Sequence, residues 1–346
     1  MSMECTKIGV IHLNQIGDLL FSLPLLASLR ERFPRARIDS ILRPALKDLL
    51  EDSPFVDRFI VRDQGSVPWF RLARALRRER YDLVLCLSRS EGALTLAAAI
   101  NARVSAGFAT FPWDMCLDVK ETLEGHNSWY NNAKLLRLLE IIPSRDSYVG
   151  LLRVSDSAYR GDLPERFVVI SPGASKRRLI KAWDEKKFAE LMVALREHAS
   201  LTPVIVGGND SRACAALISS HYREIRGFSR ASEELLDLTG AMSLRELCSL
   251  LTRARLFVGI DSGVMHLSSA LDIPVVGLFG PTDPFYVGPQ NTKSIVVKQE
   301  VSCSPCYIRT PCSHRECMEN LPVSSVLDAC RTLLENREEE HVTRHA

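Results

Sequence analysis

The 346-residue chain is predicted to be an α/β protein built from two doubly wound domains. Three observations carry this. Short β-branched runs alternate with longer amphipathic stretches from the start, as expected of βαβ units around a parallel sheet. The alternation breaks once, in a polar stretch at 144–164, and then restarts. The length also exceeds what a single core usually supports. The domains are therefore expected at 1–160 and 161–346.

In the first half the spacing predicts strands at 8–13, 37–42, 58–61 and 83–87, with helices at 19–33 and 69–80; Pro34 stops the first helix. In the second half strands are predicted at 167–171, 203–206, 256–260 and 274–279. Helices are predicted at 184–198, after Gly207-Gly-Asn-Asp210, at 243–253 and from Gly263. Beyond Cys303 the chain reads as loop until a final helix at 323–336, followed by a frayed tail.

Composition excludes several classes. Hydrophobic residues make up 46% and charged residues 25%, which rules out wholesale disorder. A formal charge of +2 does not mark a nucleic-acid binder, and none is expected as a partner. No apolar run approaches the ~18 residues of a membrane span, so a cytoplasmic protein that visits a membrane surface is expected. Its ten cysteines should be mostly reduced, with Cys5, Cys86, Cys116, Cys214 and Cys248 scattered like small core residues.

The strongest local signal is Leu256-Phe-Val-Gly-Ile-Asp-Ser-Gly-Val-Met-His266, a buried strand leading into a helix. Ligands sit at the carboxyl ends of strands in open α/β sheets, and a helix start offers unpaired N–H groups. A pyrophosphate would fit there, with Gly263 allowing close approach, Ser262 adding a hydroxyl and His266 one turn further on. Asp261 is expected to orient donors or meet a sugar hydroxyl. The plain alternative is that Asp261 and Ser262 are ordinary caps. A second segment follows the strand ending at Ser171, where Pro172, Gly173 and Ala174 turn the chain. Lys176, Arg177, Arg178 and Lys181 then supply cations suited to a diphosphate, unless they form only a solvated face.

In the first domain, Asn14-Gln-Ile-Gly-Asp18 follows the first strand without a G-x-G-x-x-G fingerprint, which weighs against a dinucleotide enzyme. Gly17 would permit a tight loop there. Asp18 either removes a proton from an acceptor hydroxyl or caps the helix. Near the end of the chain, Cys303, Cys306, Cys312 and Cys317 cluster with His314. They read as structural thiols or a local disulfide, or else as a structural zinc or iron site.

Together these residues resemble the ADP-heptose:lipopolysaccharide heptosyltransferase family over nearly the whole chain. The matching pieces are Ile16-Gly-Asp-Leu-Leu-Phe-Ser-Leu-Pro24, Ser171-Pro-Gly-Ala with Lys181-Ala-Trp, and Leu238-Thr-Gly-Ala-Met-Ser-Leu244. Further on come Gly259 to His266 with Ala270-Leu-Asp-Ile-Pro274, Gly277-Leu-Phe-Gly-Pro-Thr-Asp-Pro284, and the Cys303 to Cys317 cluster. Lys181-Ala-Trp-Asp departs from the pattern, since many relatives carry a second basic residue and a proline around the tryptophan.

The resemblance implies a GT-B fold, two Rossmann-like domains facing across a cleft, with acceptor in the first and nucleotide sugar in the second. It implies inverting transfer of heptose from ADP-heptose to an inner-core hydroxyl of lipopolysaccharide. The acceptor would be a lipid-linked oligosaccharide at the inner-membrane surface, and no cofactor would be needed for the chemistry. Carried over, Asp18 is the general base and Lys181 lies near the donor phosphates. Asp261, Ser262, Gly263 and His266 form the donor turn, and Met242 meets the base. The rival readings are a transferase for another nucleotide sugar or a protein acceptor, and a non-catalytic sugar-nucleotide binding module.

Overall fold

The computed structural model describes residues 4–12, 15–62, 69–154, 159–173, 179–227, 235–307, 312 and 314–345; for Leu179 and from residue 338 onward it describes the backbone alone. The chain divides into two compact units, Met1–Arg153 and Val154–Ala346.

The first unit runs β1 (Lys7–His12), α1 (Ile16–Arg32), β2 (Arg37–Leu42), α2 (Pro44–Leu50), β3 (Arg58–Val61), α3 (Trp69–Glu79), β4 (Leu83–Cys86) and α4 (Glu91–Ile100). It continues with β5 (Val104–Phe108), a 3-10 turn (Trp113–Cys116), β6 (Val119–Glu121) and α5 (Trp129–Leu138). Its strands form one parallel sheet in the order β3-β2-β1-β4-β5-β6. Crossovers from β1 to β2 and from β4 to β5 run in opposite directions, so right-handedness puts α1 and α4 on opposite faces. One face is closed by Ala73 and Leu76 of α3 and Ala93, Leu94 and Ala97 of α4, packed on Ile11, Val84 and Cys86. On the other, α1 packs with α5 and buries every residue from Leu19 to Leu29.

The second unit runs β7 (Phe167–Ser171), a 3-10 turn (Leu179–Lys181), α6 (Glu185–Ala199), β8 (Thr202–Ile205), α7 (Arg212–Arg226), β9 (Leu236–Asp237), α8 (Leu244–Arg253) and β10 (Leu256–Ile260). Then follow α9 (Gly263–Ala270), β11 (Val275–Phe279), α10 (Pro284–Val287), β12 (Ser294–Lys298), α11 (Glu316–Glu319) and α12 (Val323–His345). Its parallel sheet has the order β12-β11-β10-β7-β8-β9. Read from its first strand, this is the same order as in the first unit. Each sheet thus has one switch point, β1/β4 in the first and β7/β10 in the second, where chain connections leave in opposite directions and a crevice opens.

Two expected boundaries move. α1 begins at Ile16 rather than Leu19, so Gly17 lies inside the helix and not in a loop. The cause is local: the carboxylate of Asp18 accepts from the Gln15 N–H at 3.1 Å, closing the first turn. α12 runs to His345 rather than 336, because the stretch after Asn336 is rich in Arg and Glu and holds no Gly or Pro to stop it. Of the five cysteines expected in the core, Cys86, Cys214 and Cys248 are buried, while Cys5 and Cys116 are only half-buried.

The end of β1 carries a buried histidine with a pH consequence. Ser22 Oγ donates to the Leu19 carbonyl at 2.6 Å and lies 3.0 Å from His12 Nδ1. The serine proton is therefore spent, His12 Nδ1–H must be the donor, and Nε2 is left bare. Nε2 is buried without a partner among the described residues, and burial pushes the His12 pKa down to about 3. A lowered histidine pKa contributes stability that is complete above the unfolded value of about 6.5 and is lost as pH falls toward the folded one. Between pH 6.5 and 4.5 the protein should lose about 2 to 3 kcal/mol through this group. Unfolding followed over that range should show a correspondingly shallower pH dependence for His12→Gln, and equal slopes would remove His12 as the cause.

Candidate active site

In the second unit the two switch-point strands are in register, Gly259 opposite Ser171. A side chain at Gly259 would meet the Ser171 carbonyl at 2.6 Å, so glycine is required for the strand ends to approach. The loop leaving β7 bends back through Gly173 at φ +57, where a Cβ would lie 3.0 Å from Ile260 and 3.4 Å from Ser262. The two segments singled out from sequence therefore touch. Ser171 is buried, and its Oγ has no partner among the described residues. Ala174, Lys176, Arg177 and Arg178 lie outside the described residues.

Lys181 ends the 3-10 turn and is buried. It is placed there by Trp183, whose indole N–H donates to the Leu321 carbonyl at 3.0 Å and whose ring packs edge-on against Phe188 at 4.8 Å. The Lys181 ammonium pairs with Asp261 Oδ2, and Thr282 Oγ1 donates to the same oxygen at 2.7 Å. His266 Nε2 is 3.8 Å from Asp261 Oδ1. Burial opposes ionisation of Asp261, but His266 and Lys181 beside it outweigh this and hold the carboxyl well below the usual carboxylate range. Asp261 thus accepts from Lys181 and Thr282, with His266 beside it.

Ser262 is the N-cap of α9, yet its side chain makes no capping bond, and its Oγ is buried without a partner among the described residues. An ordinary cap would use that oxygen. Gly263 is the first residue of α9. Met242 is half-buried on the loop between β9 and α8, on the same carboxyl edge but separated from β10 by β7 and β8.

Thr282 was not legible as a site residue, although Gly280-Pro-Thr-Asp283 follows a strand. Its position is set by the Cys-rich loop. Tyr307 N–H donates to the Pro281 carbonyl at 2.7 Å, Ser304 Oγ to the Gly280 carbonyl at 2.5 Å, and Tyr307 Oη to Asp283 at 3.2 Å. A Cβ at Gly280 would meet Met318 Sδ at 2.5 Å and Cys317 Sγ at 2.9 Å. Burial, and then the neighbouring Cys303, Cys306 and Cys312, push the Cys317 thiol up. Yet no three Cys, His, Asp or Glu side chains among the described residues are placed to hold a metal ion. Cys303 is exposed and Cys317 is buried against Gly280. Residues 308–311 and 313 of the loop, between these thiols, lie outside the described residues.

In the first unit Asp18 is half-buried beside the β1/β4 switch point. Its Oδ1 accepts from Asn127 Nδ2 at 3.1 Å, and the same amide donates to the Leu87 carbonyl at 3.3 Å just beyond β4. Asn127 Oδ1 is buried and has no partner among the described residues. Asn127 sits 109 residues from Asp18, and no local pattern marks it.

Residues 69–317 match the profile of glycosyltransferase family 9 (heptosyltransferase). The chain belongs to glycosyltransferase family 9. It is 32% identical over 332 residues to lipopolysaccharide heptosyltransferase 1 of Pseudomonas aeruginosa, covering 91% of this chain and 89% of that one. Among solved structures it is similar to a glycosyl transferase family 9 protein of Veillonella parvula, with TM-score 0.80, 21% identity, and 97% and 99% of the two chains covered. It is likewise similar to the E. coli ADP-heptose lps heptosyltransferase II, with TM-score 0.73, 22% identity, and 96% and 99% covered. This family 9 member is accordingly a glycosyltransferase of heptose transfer in lipopolysaccharide biosynthesis, with the two Rossmann-like domains of the GT-B fold. Membership sets aside the non-catalytic binding module. Among the described residues no helix is long and apolar enough to cross a membrane.

Proposed function

We propose that this transferase moves a heptose from ADP-heptose to an inner-core hydroxyl of a lipid-linked lipopolysaccharide acceptor, with inversion, in a single displacement. The observation that carries the reading is the pair of buried hydroxyls, Ser171 and Ser262, without partners among the described residues. Ser171 ends β7 and Ser262 caps α9 just beyond β10, so both lie at the second switch point. Buried polar groups without partners are uncommon, and a ligand is one explanation. A diphosphate would receive these hydroxyls, the N–H groups at the helix start, and Lys181, whose ammonium has three donors of which Asp261 takes one. Gly173 and Gly263 leave room for the backbone to approach. Met242, three strands along the edge or about 14 Å away, is where the adenine would lie.

The first unit would hold the acceptor. Its hydroxyl oxygen attacks the anomeric carbon, the bond to the diphosphate breaks, the hydroxyl proton passes to Asp18, and ADP leaves. Gln15 and Asn127 fix the Asp18 carboxylate for this. A diphosphate departs as an anion and needs charge stabilisation more than protonation, so one carboxylate suffices. The E. coli structural relative is an ADP-heptose enzyme, which supports the donor. Release of ADP from ADP-heptose in the presence of a lipopolysaccharide core acceptor tests the reading, and product NMR reads the anomeric configuration. Release of UDP from a UDP-sugar, or transfer to a protein, would overturn it.

A further inference from the structure

From Ile273 to Gln290 every residue is buried or half-buried except Phe285, which is 73% exposed. Among the described residues of the second unit it is the exposed aromatic side chain; the other large apolar residues open to solvent there are Leu217 and Ile225. The backbone beneath it is fixed from several sides. Asp283 caps α10 by accepting from the Phe285 N–H at 3.0 Å, and Tyr307 Oη donates to the same carboxylate at 3.2 Å. Val287 is buried at the far end of α10, where a Cβ at Gly288 would meet the Pro284 carbonyl at 2.5 Å. The ring of Tyr286 stands edge-on to that of Phe285 at 4.9 Å. A ring on so rigid a turn has two side-chain torsions left to order, so stacking on it costs little entropy.

Position along the sheet says what would meet this ring. β11 lies beside β10, with Ile260 opposite Leu278, so α9 and α10 follow the carboxyl ends of strands about 5 Å apart. Thr282, three residues before Phe285, donates to Asp261. Met242 lies in the other direction, beyond β7 and β8. A nucleotide sugar with its base at Met242 and its diphosphate at the Ser171–Ser262 turn occupies the β7-to-β9 side of the edge, and its sugar continues toward β11. A pyranose ring carries hydroxyls around its rim and C–H groups on its faces. An aromatic ring covers such a face while the hydroxyls keep their own partners.

We propose that Phe285 is a stacking platform for the sugar ring of the donor, a contact that separates the nucleotide sugar from the sugar-free diphosphate. The proposal rests on the donor reading above. Calorimetry with ADP-heptose and with ADP, without acceptor, tests it on wild type, Phe285→Ala and Phe285→Tyr. Phe285→Ala should weaken ADP-heptose by about three- to tenfold and ADP by less than about twofold, with an unchanged melting temperature. Phe285→Tyr keeps the ring and should bind ADP-heptose as wild type does. Unchanged ADP-heptose affinity in Phe285→Ala, as for a residue that meets the acceptor instead, or an equal loss for ADP, would overturn the platform and leave the donor reading standing. Wild type that binds ADP but gains nothing from the heptose would also overturn the platform, and wild type that binds neither ligand would overturn the donor reading and the platform with it.

Discussion

Asp18→Asn should lower kcat by about 10² to 10⁴, the usual scale for removing a general base, while leaving ADP affinity unchanged. The substitution keeps the shape of the side chain and an oxygen able to accept from the Gln15 N–H, so the first turn of α1 survives. What is lost is the negative charge and basicity that the Asn127 amide and the Gln15 N–H hold in place. The affinity arm discriminates because Asp18 and the buried Ser171–Ser262 cluster belong to different units. Turnover within a fewfold of wild type would reduce Asp18 to a helix-closing residue. Asn127→Ala should reproduce part of the kcat loss, since it frees the carboxylate to rotate without removing it.

Lys181→Ala should act on stability and on binding together. Removing one partner of a buried ion pair leaves the other charge uncompensated and typically costs about 3 to 5 kcal/mol. His266 and Thr282 still face Asp261, which places the expected loss at the lower end. The charge-assisted contact to a diphosphate is worth about 1.5 to 3 kcal/mol, or roughly ten- to a hundredfold. Calorimetry should therefore show ADP weakened by that factor and adenosine hardly at all; equal losses for both would remove Lys181 from the phosphate site. Because the Asp261 pKa is depressed, its contribution to stability is fully present above the unfolded value of about 3.9 and is lost only below it. The effect of Lys181→Ala on stability should accordingly be the same from pH 6 to pH 8, the range in which His12 begins to act only at its lower end.

The alternation of strand and helix was legible because period and length are local properties, and so was the Asp261-Ser262-Gly263 turn, where a strand meets a helix. What sequence could not show were relations made by the tertiary fold. Nothing near Asp18 points to Asn127, which arrives where α5 packs on α1, and nothing near Asp261 points to Thr282, which arrives when β10 and β11 come into register. The start of α1 escapes a sequence reading for a smaller reason: Asp18 lies within the first turn, not before the helix, and closes that turn from there. At Ser262 cap and ligand group share one sequence pattern, and the oxygen without a partner among the described residues separates the two. The Cys-rich segment was weighed for its thiol chemistry, while its visible contribution is the carbonyl contacts of Ser304 and Tyr307 with the loop carrying Thr282.

That contact turns Gly280 into a fulcrum. With Met318 and Cys317 pressed into the space a side chain would need, the thiol-rich segment works as a wedge beneath the loop bearing Thr282. Whatever lifts the wedge tilts the Thr282 hydroxyl away from Asp261 and shifts the balance between Lys181 and its counter-charge. A change in the volume of the Cys317 or Met318 side chain would in this way reach the Lys181–Asp261 pair through the loop bearing Thr282.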